Sequence, residues 1–170
     1  MNQFKTISPL EIKDNPIQLI GKEWMLITAG TQKRFNTMTA SWGGIGELWF
    51  KPVCFIFVRP QRYTYEFIEQ EEGFTLSFFE ERYKPQFNIC GSHSGRDINK
   101  VQDCGLSPVK AENGSVYFEE ARMVLECRKL YFHDLDATHF LDPSLLKHYP
   151  EDDFHRMYVG EITRALITNN

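Results

Sequence analysis

The chain has 170 residues, 42% hydrophobic and 25% charged, with a formal net charge of -4 and a pI near 5.7. That length suits a single domain spanning 1–170, able to bury roughly 70% of the surface its unfolded form exposes, and the composition excludes a disordered, coiled-coil or fibrous chain. The acidic balance argues against a nucleic-acid partner, which needs a basic footprint, and no run approaches the roughly 18 apolar residues of a membrane span.

The opening stretch "MNQFKTISPLEIKDNP" has no apolar centre of the kind a signal peptide carries, so the expected location is the cytoplasm. Cys54, Cys90, Cys104 and Cys127 are widely spaced and form no C-x-x-C pair, which favours reduced thiols. Cys54 in "VCFIFV" and Cys127 in "MVLECRKLYF" are expected in the core. Cys90 precedes "GSHSGRD" and is either another core residue or a redox-active thiol, although no resolving cysteine lies close in sequence.

In chain order, the expected strands are 24–30, 53–58, 74–79, 116–132 and 158–167, each rich in β-branched or aromatic residues and bounded by glycine, proline or polar turns. The spacing of Tyr63, Phe67 and Ile68, with Pro60 ahead and Gly73 behind, predicts a short helix within 62–72. Two more helices are expected at 81–89 and 95–104, with Pro85 obliging the first to start or bend near that residue. Asn113-Gly114 between strand-like flanks predicts a hairpin belonging to the barrel. Many strands, few short helices and no regular βα alternation predict a mainly β antiparallel barrel or sandwich.

Three polar segments interrupt this pattern. In "NTMTASWGG", Asn36, Thr37, Thr39 and Ser41 offer hydrogen-bonding groups, while Gly43 and Gly44 allow another molecule close to the backbone. The alternative is an edge strand with Thr37, Thr39 and Ser41 on one face and Met38, Ala40 and Trp42 on the other. In "VRPQRYTYEF", Arg59, Gln61, Arg62 and Thr64 gather where a strand enters a helix, a place that favours an anion such as phosphate. The alternative there is ordinary surface pairing of Arg59 and Arg62 with Glu66 or Glu69. In "GSHSGRDINK", Ser92, Ser94, Arg96 and Lys100 repeat the theme, with Ser94 equally suited to be a helix cap.

Four motifs in register, T-M-T-A-S-W, R-P-x-R-x-T, S-G-R-D-x-x-K and the late H-x-x-x-V-G-E, resemble the flavin reductase-like family of FMN-binding split barrels, which includes the flavoredoxins. The resemblance covers most of the chain. It implies an open Greek-key split barrel, a homodimer, and one FMN per subunit in a groove near the interface. It further implies that the segment from Thr37 through Met38, Thr39, Ala40 and Ser41 to Trp42 lines the isoalloxazine. Arg59 to Thr64 and Ser92 to Lys100 would then contribute phosphate and ribityl contacts. NADH or NADPH becomes the expected hydride donor, with free flavin, ferric iron, an aromatic compound or another protein as acceptor; the alternative is a non-enzymatic flavoredoxin-type electron carrier. His155 is the candidate for a proton or positive charge beside the ring, against the alternative of an ordinary histidine at a strand start. The 14% aromatic content then serves the ring and the subunit contact, with Trp42 and Trp49 placed near the latter. His133, His139, His148 and His155 with Asp134, Asp136 and Asp142 show no metal-ligand spacing, so no metal is expected.

Overall fold

In the computed structural model, which describes residues 4–168, the run Met25–Thr31 (β2) shows how the apolar patterning becomes architecture. Successive side chains of a strand point to opposite faces. Met25, Ile27 and Ala29 therefore enter one buried cluster while Leu26 enters another. The same division runs through β9 (Met123–Asp134), where Met123, Leu125 and Cys127 face the first cluster and Val124 the second. Burial on both faces explains why these strands read as unbroken apolar runs rather than as alternation.

The other strands of the large sheet are β1 (Phe4–Ile7), β3 (Arg34–Ala40), β4 (Gly43–Leu48), β5 (Lys51–Val58), β6 (Gly73–Phe78) and β10 (Arg156–Thr168). All pairs are antiparallel, in the order β3-β2-β6-β9-β10-β5-β4, with β1 on the far end of β10. The two ends of that order, β3 and β4, are neighbours in the chain, separated only by Ser41 and Trp42. The sheet therefore curls until its edges meet at a covalent link without a ladder between them, a split barrel. Register shifts in β10 at Val159/Gly160 and between Ile162 and Arg164 supply bends that such curling needs. The chain is thus mainly β with a few short helices.

Those helices are α1 (Pro16–Gln18), continuing into a π-helical turn over Leu19–Glu23, α2 (Tyr63–Gln70), α3 (Lys84–Ser92) and α4 (Lys100–Cys104). Asn15 caps the first by accepting from the Ile17 N–H at 2.9 Å. Pro85 sits in the first turn of α3, where a missing N–H costs nothing. Only the second half of the expected helix at 95–104 is helical, because Asn99 caps a start at Lys100 by accepting from the Gln102 N–H at 3.2 Å.

Two expectations need correction. The single strand over 116–132 is two strands, β8 (Val116–Phe118) and β9, separated by a turn in which the Ala121 N–H donates to Phe118 O. The hairpin at Asn113-Gly114 forms, with Gly114 at φ 89, but it joins β7 (Pro108–Lys110) to β8 in a separate two-stranded sheet and is not part of the barrel. β8 packs against the second core through Phe118, and its ladder partner is β7. No helix among the described residues is long and apolar enough to cross a membrane.

Candidate functional site

β3 and the link after it form the spine of the site. Residues 38–42 line a groove of about 200 Å³ together with Phe57, Arg59, Arg62 and His155. Residues 33–37 line a second, larger cleft of about 530 Å³ with Tyr63, Phe67 and the 95–101 segment. Gly43, where the chain enters β4, has no room for a side chain: a Cβ there would lie 2.6 Å from Phe55 O. That close approach keeps the 41–44 turn tight against β5.

The hydroxyls of the first polar segment do not share a solvent-facing row. Thr37 is buried, within 2.9 Å of the Thr28 hydroxyl, and Asn36 Nδ2 donates to Thr64 Oγ1 at 2.7 Å. Thr39 Oγ1 donates to Phe87 O at 2.6 Å and still borders the groove. Met38 and Ala40 contribute to the barrel core, while Ser41 and half-exposed Trp42 lie beyond the ladder at the split. Asn36, Thr37 and Thr64 thus fasten β3 to β2 and α2, and residues 38–42 present the groove.

The helix-start segment divides in the same way. Arg59 donates to Asp153 at 2.5 Å and to His148 O at 2.7 Å, and Gln61 Nε2 also bonds Asp153. Neither arginine pairs with Glu66 or Glu69; Glu66 is taken by Arg96, whose guanidinium lies over the Tyr63 ring at 4.5 Å. Arg62 turns toward the C-terminal end of α3, donating to Gly91 O at 2.7 Å and Cys90 O at 3.4 Å. Lys100, only 5% exposed, donates to the same Cys90 O and to Thr37 O, both at 2.8 Å. Ser92 Oγ donates to Asn88 O at 2.6 Å, and Ser94 Oγ accepts from the Arg96 N–H at 3.2 Å.

Arg62 and Lys100 therefore converge on one carbonyl, and among the described residues neither forms an ion pair with a carboxylate. Burial, followed by the charge of Arg62, lowers the Lys100 ammonium to about 8; burial and then Arg59 lower Arg62. Two part-dehydrated cations held apart only by carbonyl oxygens are stabilised by any anion that reaches them.

His155, 8% exposed, sits at the head of β10 with Nδ1 2.9 Å from the Tyr149 hydroxyl and its ring 5.2 Å from that of Trp42. Burial, then Arg59, lowers the imidazole to about 4, so it is neutral at pH 7. Tyr149 and Asp153, together with Phe57, are site residues that sequence reasoning missed. The only available signal was the dense aromatic and acidic run "HYPEDDFH" just before β10. Cys90 is fully buried, 3.3 Å from Cys104 Sγ, and burial pushes its thiol up to about 12, the reverse of a reactive thiolate. All four cysteines are buried and reduced.

A flavin reductase like domain model matches residues 18–170. The chain belongs to the flavin reductase-like family. Among solved structures, an FMN-binding domain of a flavin reductase-like enzyme from Shewanella baltica is 19% identical, with a TM-score of 0.72 over 98% of this chain and 78% of that one. Flavoredoxin of Desulfovibrio vulgaris is 24% identical, with a TM-score of 0.67 over 86% and 69%. An FMN-binding protein from Thermus thermophilus is 22% identical, with a TM-score of 0.66 over 97% and 79%. No curated protein sequence matches the chain. At these identities the shared property is the fold, and the flavin reductase-like split barrel is what the sheet order above describes.

Proposed function

We propose that the chain is an FMN-dependent oxidoreductase, acting as an NAD(P)H-dependent flavin reductase that passes electrons from a nicotinamide donor to an acceptor. The observation that carries this reading is the groove at the barrel split: residues 38–42, neutral and backbone-rich, run from the Arg62 side to His155. A flat neutral ring suits the first part and a phosphate the cationic end. The family membership and the neighbours named above support the same ligand.

In this reading Ser41 and Trp42, outside any ladder, offer main-chain N–H groups to the edge of the ring, and Arg62 meets the phosphate. Lys100 keeps the Cys90 carbonyl in place beside Arg62. His155, neutral and fixed by Tyr149, presents a polar tip without adding a charge beside the ring. Bound FMN supplies the two-electron chemistry; the chain holds it and limits what reaches it. Loop 148–153 is tied to the groove residue Arg59, which donates to His148 O and to Asp153.

The groove of about 200 Å³ is smaller than the roughly 300–1,000 Å³ common for ligand pockets. A second copy completing it is the simplest remedy, so the working unit in this proposal is a homodimer. The large exposed rings Trp42, Trp49 and Phe50 are the material for the contact.

The test is anaerobic mixing of the yellow protein with NADH or NADPH. Rapid bleaching of the flavin supports the reductase. No bleaching by either nucleotide, beside ready reduction by a small reduced electron-transfer protein, supports a flavoredoxin-type carrier instead. Release of FAD on denaturation, or no flavin after reconstitution with FMN, refutes both.

A further inference from the structure

Cys90 has no neighbouring cysteine in sequence, but the fold supplies one. α3 and α4 bring Cys90 Sγ within 3.3 Å of Cys104 Sγ, so a disulfide of about 2.0 Å needs a closure of only roughly 1.3 Å. Neither thiol lines the groove. The two are not equivalent: Cys90 is 0% exposed and Cys104 5%. Burial raises both thiols; the hydrogen bond between them then raises Cys90 further and lowers Cys104, and the Lys100 charge, one turn earlier on α4, lowers both. The proton of the shared hydrogen bond therefore stays on Cys90, and the thiolate forms first at Cys104, the outer sulfur. Cys54 and Cys127 make the contrasting pair, with Sγ atoms 3.5 Å apart but both 0% exposed inside the first core.

We propose that Cys90 and Cys104 are a peroxide-sensitive dithiol whose oxidation closes residues 91–103 into a covalent loop. The Cys104 thiolate attacks one oxygen of hydrogen peroxide, the O–O bond breaks, and Cys104 becomes a sulfenic acid while the departing hydroxide takes up a proton as water. Cys90 then attacks that sulfur: the S–S bond forms, the S–O bond breaks, and the Cys90 proton leaves with the hydroxide as a second water. The two sulfurs together lose two electrons, and the peroxide is reduced to water. Resting on the function proposed above, the peroxide arises in the same protein whenever dioxygen takes the two electrons of the reduced flavin.

The bond would fix the third polar segment. Cys90 O accepts from Lys100 at 2.8 Å and from Arg62 at 3.4 Å, and the closed loop carries Ser94 and Arg96. Cys90 and Cys104 join the same two elements as the bond from Lys100 to Cys90 O, so the disulfide locks that arrangement in place.

The test is treatment of the flavin-loaded protein with hydrogen peroxide, followed by alkylation of the remaining thiols in denaturant and peptide mass mapping. Expected are the loss of two of the four thiols, a mass lower by two hydrogen atoms, a cross-link between Cys90 and Cys104 within one chain, alkylated Cys54 and Cys127, and full recovery with dithiothreitol. In Cys90→Ser, peroxide should leave a sulfenic acid at Cys104 that dimedone traps; in Cys104→Ser, Cys90 should stay a thiol. The oxidised parent protein should release FMN more slowly than the reduced one, followed by flavin fluorescence after dilution. The inference is overturned if all four thiols survive peroxide in protein that retains its flavin, or if Cys54 and Cys127 are lost at the same rate, which marks oxidation of unfolded chains. Oxidation of Cys90 in Cys104→Ser, or equal FMN release from the two forms, also overturns it. A cross-link that forms in a protein unable to hold flavin sinks the function proposed above and leaves the dithiol standing.

Discussion

At the scale of single residues, Arg62 and His155 decide most of the groove's electrostatics. Arg62 holds the end of α3 through Gly91 O and Cys90 O and has no carboxylate partner among the described residues. Arg62→Ala removes one charge-assisted contact to a phosphate, worth about 1.5–3 kcal/mol, so FMN affinity should fall about tenfold to a hundredfold. Riboflavin, which has no phosphate, should bind almost as before; equal losses in a fluorescence titration would show that Arg62 only shapes the pocket. His155 has a different signature. Its folded-state value of about 4 lies below the ordinary 6.5, so between those two pH values the unfolded chain binds more protons than the native one. Stability therefore falls on acidification through that window, by at most roughly 3 kcal/mol, and is unaffected by this group above it. Urea midpoints measured from pH 7 to pH 4 should show a shallower decline in His155→Phe than in the parent protein.

At the scale of elements, the β4–β5 hairpin is the feature whose local chemistry conflicts with its conformation. Leu48 pairs with Lys51, leaving Trp49 and Phe50 as a two-residue turn with φ 55 and φ 58. Such a turn suits Asn-Gly, and two bulky rings at positive φ cost about 1–2 kcal/mol each. Phe50 is also 97% exposed. Replacing Trp49-Phe50 with Asn-Gly should raise the unfolding midpoint at low protein concentration by relieving that strain. In the homodimer proposed above, the same variant should weaken association, read as a lower mass in light scattering. An unchanged mass would place the hairpin outside the subunit contact. The β3 element gives a second case, because α3 and the following segment lie directly on it. Gly95 has no room for a Cβ against the Asn36 amide oxygen. Gly95→Ala should cost about 1–3 kcal/mol by forcing Asn36 away from Thr64, measurable as a lower urea midpoint.

At the scale of the whole molecule, the split in the barrel is what makes a site. A fully closed barrel has no edges, whereas this sheet leaves β3 and β4 unpaired with each other exactly where the chain passes between them. The purified protein should be yellow and should release FMN on denaturation, identified by mass. Its particle mass in light scattering should be twice 19.9 kDa; a monomer that still holds FMN tightly would mean that one copy closes the groove unaided.

Much of this was legible in the chain. β2, β5, β6 and β10 and helix α2 follow from apolar runs and their punctuation, because strand and helix periods act over a few neighbouring residues. The polar segments were legible as exceptions to that pattern: a barrel has no need of "NTMTASWGG" or "RPQRYT". What each polar side chain does was not legible. Asn36 and Thr64 are 28 residues apart and complete each other's hydrogen bonding, and Arg59 is satisfied by Asp153, 94 residues away. Burial also set the state of His155, Lys100 and Cys90, whose shifts arise from groups brought together by β3, α3 and the loop before β10. The sequence by itself determined the long apolar strands β2, β5, β6, β9 and β10 and which segments carry polar chemistry, since both are local properties, whereas the short or polar strands β1, β4 and β7 owe their place to pairing partners far along the chain. Only the tertiary structure decided which of those polar groups are spent on one another and which remain for a ligand, because desolvation and pairing depend on distances that chain order does not specify.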